Sequence, residues 1–301
     1  MTAAQNDVPC YRIADAKFEA PPLTPGLYLV ATPIGNLRDV TIRALETLAA
    51  ADLVLCEDTR ITARLLERYA IAKRLKPYHD HNAAKVRPLI LRDLEVGRSV
   101  ALVSDAGSPL VSDPGFKLVE AAIAGGHRVE TVPGPSASLA ALSLSGLPTD
   151  RFLFAGFLPT RQAERRRLLE ELKPVRATLI FFESPGRAAG ALAEMGEVFG
   201  DRQVALAREL TKIHEEVLRG TPGEVERIVR GRTTLKGEVT LVVGPPLAPV
   251  AASDDDIRRA LDAAMRTMSA SQAAAHVAGE LGVARRHVYG LAIGRKDEGA
   301  D

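Results

Sequence analysis

Apolar and polar positions alternate along the first half of the chain in blocks whose lengths suit strands and helices in turn. Apolar runs of four or five residues are typical of buried strands, and longer segments with a three-to-four-residue apolar period are typical of helices. The pattern predicts strands at 27–31, 53–56, 99–103 and 128–132 and helices at 40–50, 59–69, 83–94, 114–124 and 136–146. Such alternation predicts an α/β domain with a mostly parallel sheet.

A less regular alternation follows the turn-forming sequence LPTD at residues 147–150. It predicts strands at 152–157, 178–182, 204–208, 215–219 and 239–243, with helices at 161–172, 186–199 and 222–230. A linker at 247–254 precedes an amphipathic segment at 255–266 and two short helices around Gly282, an arrangement typical of a helix-turn-helix. The expected organisation is a flexible N-terminal tail at 1–25, α/β domains at 26–146 and 147–246, and a small helical unit at 255–296.

Composition narrows the class of protein without identifying it. The chain has 301 residues, more than one hydrophobic core usually supports, with 46% hydrophobic and 26% charged residues. Its net charge of +1 gives no global attraction to nucleic acid, so any such binding relies on local basic patches. The absence of a long apolar run and of a signal-peptide pattern leads us to expect a cytoplasmic protein with no membrane contact. The two cysteines, Cys10 and Cys56, form no ligand cluster, and we predict unpaired thiols and no metal.

Two loops rich in glycine, proline and serine, at 103–115 and 132–137, each join a predicted strand to a predicted helix. Ligands of open α/β sheets bind beyond the carboxyl ends of the strands, so these loops predict a small-molecule pocket. A third loop at 32–39 occupies the equivalent position after the first strand, but it has one glycine and no Gly-Lys-Ser/Thr, which excludes a Walker-type phosphate loop. Taken alone, it is also consistent with a tight turn in which Asp39 caps the helix.

Six motifs, in this order, resemble the tetrapyrrole methylase superfamily, and most closely its branch of 16S rRNA cytidine 2′-O-ribose methyltransferases. They are LVATPIGNL at 29–37, CEDTR at 56–60, VSDAGSP at 103–109, VPGPSA at 132–137, FFESPGR at 181–187 and RELTKIHEE at 208–216. The resemblance implies two consecutive α/β domains of the tetrapyrrole methylase type, S-adenosyl-L-methionine in the cleft between them, and a homodimer. It also implies a set of cofactor-binding residues: Pro33, Ile34, Gly35, Asp105, Gly107, Ser108, Pro109, Val111, Ser136, Ala137, Phe182, Ala207 and Val239.

Methyl transfer to a ribose hydroxyl requires that the hydroxyl be aligned with the methyl group and lose its proton. The candidate catalytic residues are Glu183, Glu209, Lys212 and His214, with Asp58 as a further candidate base. Glu183 follows an apolar strand, where burial would raise its pKa, but it could equally cap the next helix. The charged run at 208–216 could instead be a solvated ion-pair cluster. The residues leave the identity of the base open.

Candidate substrate contacts come from polar loops and basic helices. The candidate substrate-binding residues are Asp58, Arg60, His79, Asn82 and Arg208. The family usually has an acidic residue after the motif at 78–82, whereas this chain has two alanines, and a surface loop is the alternative interpretation there. Arginines at 60, 64 and 68, at 161 and 165–167, and the basic residues at 285–287, 295 and 296 could bind RNA phosphates or simply form solvated faces.

The favoured hypothesis is an enzyme that transfers a methyl group from S-adenosyl-L-methionine to the 2′-hydroxyl of a cytidine in the decoding region of 16S rRNA. Its expected partners are 16S rRNA or the small ribosomal subunit and a second copy of the chain. Two alternatives remain: C-methylation of a tetrapyrrole such as uroporphyrinogen, and a nucleotide-sensing regulator that binds DNA through its C-terminal unit.

Overall fold

The computed structural model describes residues 8–246 and 253–298, and for 294–298 the backbone alone. The chain divides into two compact units, with the boundary after Pro245. Most of the predicted linker, and the first seven residues of the predicted tail, lie outside the described residues.

The first half of the larger unit forms a five-stranded parallel sheet. In chain order its elements are β1 (Cys10–Ile13), β2 (Ala16–Glu19), β3 (Gly26–Val30), α1 (Ile42–Ala50), β4 (Leu53–Cys56), α2 (Thr59–Arg68), β5 (Leu75–Pro77), α3 (Asp80–Glu95), β6 (Ser99–Val103), α4 (Phe116–Ala124), β7 (Val129–Val132) and α5 (Ala137–Ser145). The strand order is β5-β4-β6-β3-β7, and every neighbouring pair is parallel. All five carboxyl ends therefore lie at one edge of the sheet.

Both faces of this sheet are covered by helices, as its continuous apolar strands predict. Leu45 and Leu48 of α1 and Leu65 of α2 are buried with alternate residues of the central strands on one face. Ile90 of α3 and Leu118 of α4 are buried with the other set of strand residues on the opposite face. The predicted α/β class is confirmed.

The second half forms a mixed sheet. Its elements are β8 (Phe152–Phe157), α6 (Gln162–Leu172), β9 (Thr178–Glu183), α7 (Ala188–Phe199), β10 (Val204–Arg208), β11 (Glu216–Gly220), α8 (Pro222–Arg230) and β12 (Val239–Val243). The order is β11-β10-β12-β9-β8, with β8 and β9 parallel and the other pairs antiparallel. Helices α6 to α8 cover one face, and Ala141 and Leu142 of α5 pack on the other. Helix α5 therefore follows the first sheet in sequence but packs on the second.

The N-terminal segment is not the flexible tail that the sequence predicts. Strands β1 and β2 pair as an antiparallel hairpin, and Tyr11 is 3% exposed in the core beneath α1 and α2. The Arg12 N–H donates to the Tyr69 carbonyl at 2.8 Å, which fixes the hairpin to the end of α2. The expectation is therefore wrong for residues 10–19, because a single aromatic anchor outweighs an otherwise polar sequence.

The smaller unit consists of α9 (Asp254–Ala264), α10 (Ala270–Leu281) and α11 (Arg285–Glu298). It has its own core, which includes Ile257, Leu261, Val277 and Val288. Gly282 ends α10 in the left-handed conformation at φ +64°, a helix terminus that glycine favours. Arg295 and Lys296 are candidates for RNA binding from the sequence, but their side chains lie outside the described part of the chain.

Candidate active site

A cavity of about 430 Å³ lies where the strand-end loops of the parallel sheet meet the second sheet, a volume within the range of small-molecule sites. The loops that follow β3, β4, β6 and β7 form one side, and residues of β8, β9 and β12 with their adjoining loops form the other. The cavity brings together ten of the residues predicted from sequence: Ile34, Asp105, Gly107, Ser108, Val111, Ser136, Ala137, Phe182, Glu183 and Val239.

Backbone hydrogen bonds hold two of the loops together. Thr32 and Gly107 exchange N–H to carbonyl hydrogen bonds at 2.9 and 3.0 Å, and the Thr32 hydroxyl donates to the Ser104 carbonyl at 3.1 Å. Gly107 has φ +78°, a conformation that a residue with a Cβ rarely adopts. Pro33 and Pro109 are buried beside this junction and do not line the cavity. The two prolines therefore shape the loops and leave the ligand-facing positions to their neighbours.

The wall opposite the loops is aromatic. The Phe182 ring lies edge-to-face against Phe157, with centroids 5.4 Å apart, and against Phe154 at 4.8 Å. Strand β8 is irregular between Phe154 and Phe157, where Gly156 has φ +73°. Phe157 lines the cavity and is 59% exposed. This wall offers a planar ligand one largely free ring beside a half-buried ring.

Glu183 sits at the end of β9, but its carboxylate is enclosed. The side chain has no exposed surface; Oε1 accepts from the Ser184 N–H at 2.6 Å and from Arg187 Nε at 2.7 Å, and Oε2 has no hydrogen-bond partner. The hydrogen bond to Ser184 and the ion pair with Arg187 anchor the loop after β9. Oε1 is therefore committed to the loop after β9, and Oε2 is the carboxylate oxygen that these contacts leave free.

The predicted residues of the 208–216 segment lie beside the cavity and not in its lining. Lys212 Nζ donates to Glu209 Oε1 at 2.9 Å and to Glu238 Oε2 at 3.2 Å, and Glu238 lines the cavity. The Lys212 hydrogen bond lowers the pKa of Glu209. Burial acts to lower the pKa of Lys212, but its carboxylate partners outweigh burial and raise it. Lys212 is therefore a cation in an ion-pair cluster, as one interpretation of the sequence predicted.

Three other residues from this part of the prediction have distinct positions. Arg208 donates to Glu216 at 3.3 Å and to the Lys236 carbonyl at 3.1 Å. His214 is exposed at the tip of the segment, and Ala207 is buried in the core with Ile34 beneath the cavity. None of the three lines the cavity.

Gly35 explains why the first loop and the 208–216 segment can approach so closely. A Cβ atom at this position would lie 2.5 Å from Lys212 Cγ and 2.9 Å from the Leu210 carbonyl oxygen. The neighbouring Asn36 N–H donates to the Thr211 hydroxyl at 3.2 Å. Gly35 therefore positions the loop and is not in the cavity lining.

The predicted substrate contacts on the first sheet serve as helix caps. Asp58 caps the N-terminus of α2, accepts from the Arg60 N–H at 2.8 Å and pairs with the Arg60 guanidinium at 2.5 Å. These bonds lower the pKa of Asp58 to about 2. Asn82 accepts from the His79 N–H at 3.0 Å at the start of α3. None of these four side chains lines the cavity, although the Asp58 N–H donates to Asp105 Oδ1 at 3.0 Å.

Sequence reasoning missed three prominent lining residues: Glu57, Asp113 and Phe157. Glu57 lies in the motif at 56–60 and Asp113 in the loop at 103–115, but neither was among the candidate site residues. The carboxylates of Glu57, Asp105 and Asp113 line the cavity together. Burial, followed by the charge of Asp105, raises the pKa of Glu57. No group of His, Cys, Asp and Glu side chains within the described ranges is arranged to hold a metal ion.

The basic helices contribute unequally to the surface. Arg64 and Arg68 of α2 are exposed, whereas Arg165 of α6 is 8% exposed and pairs with Glu194 at 2.6 Å. Arg165 therefore belongs to the interior and not to a basic patch. In the part of the chain that the structure describes, no helix is long and apolar enough to cross a membrane.

Two family models match the chain. Residues 26–226 match Tetrapyrrole (Corrin/Porphyrin) Methylases, and residues 251–296 match the RsmI C-terminal HTH domain. The chain is 51% identical over 286 residues to a protein of Mesorhizobium japonicum called Ribosomal RNA small subunit methyltransferase I, covering 95% of this chain and 97% of the relative. It is 50% identical to a protein of the same name from Erythrobacter litoralis, covering 91% and 96% of the two chains.

Solved structures share the fold of the larger unit. A diphthine synthase superposes with a TM-score of 0.58 at 18% identity, covering 72% of this chain and 89% of the other. Uroporphyrin-III-C-methyltransferase from Thermus thermophilus superposes with a TM-score of 0.53 at 24% identity, covering 73% and 94%. At these identities the likeness establishes the fold alone. Together with the family match and the close relatives, it shows that the chain belongs to the tetrapyrrole methylase family of methyltransferases, in the branch of the ribosomal RNA small subunit enzymes.

Proposed function

We propose that the chain transfers a methyl group from S-adenosyl-L-methionine to the 2′-hydroxyl of a cytidine ribose in small-subunit rRNA. The observation that carries the proposal is the single cavity built from strand-end loops, with an acidic wall and an aromatic wall, in a member of this family of methyltransferases. The printed names of the close relatives supply the class of substrate.

The residues present fit the proposed methyl donor. Ile34, Val111, Ala137, Phe182 and Val239 offer apolar surface to an adenosine group. The carboxylates of Asp105 and Glu57 complement a ligand that carries a sulfonium and an ammonium charge. The N-terminus of α5, with the Ser136 hydroxyl as its cap, adds unpaired backbone N–H groups for ligand oxygens. When bound, the donor supplies a methyl group already activated by the positive charge on sulfur.

The contribution of the chain is to bind and orient the two reactants and to receive a proton. Alignment of a hydroxyl with a reacting carbon supplies a large part of the rate enhancement. The bonded loops after β3 and β6 fix the positions of Ile34 and Ser108 in the cavity lining. Water exclusion falls to the aromatic wall, where Phe157 and Phe182 cover the opposite side.

Binding of the RNA calls for cationic groups outside the cavity. Arg64 and Arg68 are exposed on α2, the helix that begins after β4 at the same edge of the sheet as the cavity loops. Arg285 and Arg286 begin α11 of the helical unit. We propose that both sets of arginines bind phosphates of the small-subunit rRNA.

We also propose that the protein is a cytoplasmic homodimer. A molecular mass of twice the chain mass in sedimentation equilibrium would support the dimer.

The test is to incubate the chain with S-adenosyl-L-methionine labelled in the methyl group and with small ribosomal subunits that lack the modification. A 2′-O-methyl group blocks alkaline cleavage of the following phosphodiester, so label in an alkali-resistant dinucleotide that begins with cytidine supports the proposal. A parallel reaction with uroporphyrinogen is the control. Label on the tetrapyrrole, or tight donor binding with no transfer to RNA, contradicts the proposal.

A further inference from the structure

We infer that Asp113 is the general base that accepts the proton of the ribose 2′-hydroxyl, an inference that rests on the proposed function. Asp113 lies at the end of the long loop between β6 and α4, and it lines the same cavity as Asp105 and Glu57. The three carboxylates come from two neighbouring strand ends of the parallel sheet. They form the side of the cavity that faces Phe157 and Phe182 of the second sheet.

The backbone holds this loop in a costly conformation. Leu110 and Ser112 have φ +73° and +64°, so two residues other than glycine adopt the left-handed region directly before Asp113. Such conformations are unfavourable for residues with a Cβ, persist only where surrounding structure imposes them, and cluster at active sites. Gly115 completes the loop at φ +134°, with the Leu110 and Leu102 side chains packed where a Cβ would stand. The position of Asp113 is therefore imposed by the fold.

Its surroundings suit a base that works near neutral pH. Burial, followed by the negative charges of Glu57 and Asp105, raises the pKa of Asp113 to about 6, and the nearby Ser104 hydroxyl opposes the shift. A carboxylate with a pKa close to the working pH is an effective proton acceptor, because it is ionised yet strongly basic. The groups around Glu57 that act on its charge are Asp105, Asp80, His79 and Asp58.

The other candidates are less suited to the role. Glu183 is enclosed and paired with Arg187, and Glu209 is paired with Lys212. Lys212 holds its proton, and His214 lies outside the cavity lining. Within the cavity, Asp105 already accepts the Asp58 N–H.

In the proposed step the methyl group moves from sulfur to the ribose oxygen and the hydroxyl proton moves to Asp113. A lone pair of the ribose O2′ forms the bond to the methyl carbon as the bond from that carbon to sulfur breaks, and the electrons of the broken bond remain on sulfur as a neutral thioether. The hydroxyl proton moves to a carboxylate oxygen of Asp113, which becomes a neutral carboxylic acid. Release of this proton to solvent regenerates the base.

The experiment compares the wild-type chain with Asp113→Asn and Asp113→Glu in methyl transfer to small ribosomal subunits between about pH 5 and pH 8. We expect Asn to lower kcat by about a hundredfold or more, because it removes the proton acceptor. The dissociation constant of S-adenosylhomocysteine, measured by calorimetry, should change by less than about threefold. Glu keeps a carboxylate and should recover part of kcat, which a purely structural role of Asp113 would not predict.

Glu57→Gln supplies a second, independent readout. Removal of this negative charge should lower the pKa of Asp113, which carbon NMR of the carboxyl group reports in the protein without RNA. The midpoint of kcat/KM against pH should move down by the same amount. An unchanged midpoint, or Asp113→Asn with more than about a third of the wild-type kcat, overturns the inference alone. A wild-type chain that labels no RNA overturns the proposed function as well.

Discussion

The surroundings of Asp113 disfavour the ionised form of its carboxyl group. Its carboxylate is half-buried beside two others, and the folded chain therefore holds a proton on it up to about pH 6. The unfolded chain releases that proton near the ordinary value of 3.8. Between these two values the folded state binds more protons than the unfolded state, so this residue makes the free energy of unfolding fall as pH rises.

The first prediction is that Asp113→Asn raises the stability of the chain at neutral and alkaline pH. The gain over wild type should be small near pH 4, grow as pH rises towards about 6 and then level off, because asparagine never ionises. Urea denaturation at about pH 4, 6 and 8 measures it. A variant that is less stable than wild type at every pH would show that the Asp113 environment does not oppose its charge.

A second prediction concerns the aromatic wall. Phe157→Ala should weaken S-adenosylhomocysteine binding by about fivefold, since an aromatic contact contributes roughly 1 kcal/mol beyond the area it buries. The ring is 59% exposed, so the free energy of unfolding should change little. Phe116→Ala is the matched control, because Phe116 is 68% exposed and does not line the cavity. Equal effects of the two substitutions on calorimetric affinity would contradict the prediction.

At this scale the sequence predicted the apolar and glycine-rich lining better than the charged part. Ile34, Ser108 and Val111 lie in loops whose position can be predicted from the preceding strand. Asp113 could not be separated from a turn-forming aspartate, because its surroundings depend on Glu57, 56 positions earlier in the chain. Phe157 was missed because the register of β8 against β9 shifts between Phe154 and Phe157. Such an irregularity depends on how the two strands pair, which the apolar pattern of β8 does not reveal.

At the scale of the elements, the close contact between the first loop and the 208–216 segment requires a glycine at position 35. Gly35→Ala should destabilise the chain by about 1–3 kcal/mol, because the new methyl group overlaps Lys212 and the Leu210 carbonyl. Gly190→Ala is the control: it lies inside α7 with nothing within 4 Å, and should leave stability unchanged or raise it by up to about 1 kcal/mol. Chemical denaturation of both variants tests this; equal stability would exclude the overlap.

Most elements were predictable because their apolar periods are local. The strand bounds at 53–56, 99–103, 152–157, 204–208 and 239–243 agree with the sequence prediction. Strand β5 was missed, since it has three residues, includes a lysine and a proline, and pairs on one side only. The hairpin of β1 and β2 was missed for a related reason: all four side chains of β2 are exposed, so no apolar pattern marks it.

Over the whole molecule, the larger unit contains both sheets because α5 leaves the first and packs on the second. The cavity is lined by residues of this unit alone. The alternation of elements in the sequence predicted two domains. It could not show that α5 packs on the second sheet, because the apolar pattern of this helix is the same whichever sheet it covers.

The last prediction assigns RNA affinity to the smaller unit. Arg285→Ala with Arg286→Ala should weaken binding to small subunits and reduce the slope of log affinity against log salt by about 1–2, as two phosphate contacts are lost. Affinity for S-adenosylhomocysteine should be unchanged. Arg258→Ala is the control, because Arg258 pairs with Asp255 at 3.2 Å. Filter binding between about 50 and 200 mM salt measures the slope of log affinity against log salt concentration. An unaltered slope would show that other residues contact the RNA phosphates.

The hairpin at the start of the chain bears on how shortened versions of this protein should be made. A version that begins at Leu27 keeps every strand of the parallel sheet nearly whole, yet it removes the Tyr11 ring from the core beside α1, together with Phe18, which stacks on that ring. It also leaves the Tyr69 carbonyl without its donor. Such a truncation would leave a cavity in the core beneath α1 and α2. Residues 10–19 therefore contribute to the stability of the first half of the larger unit.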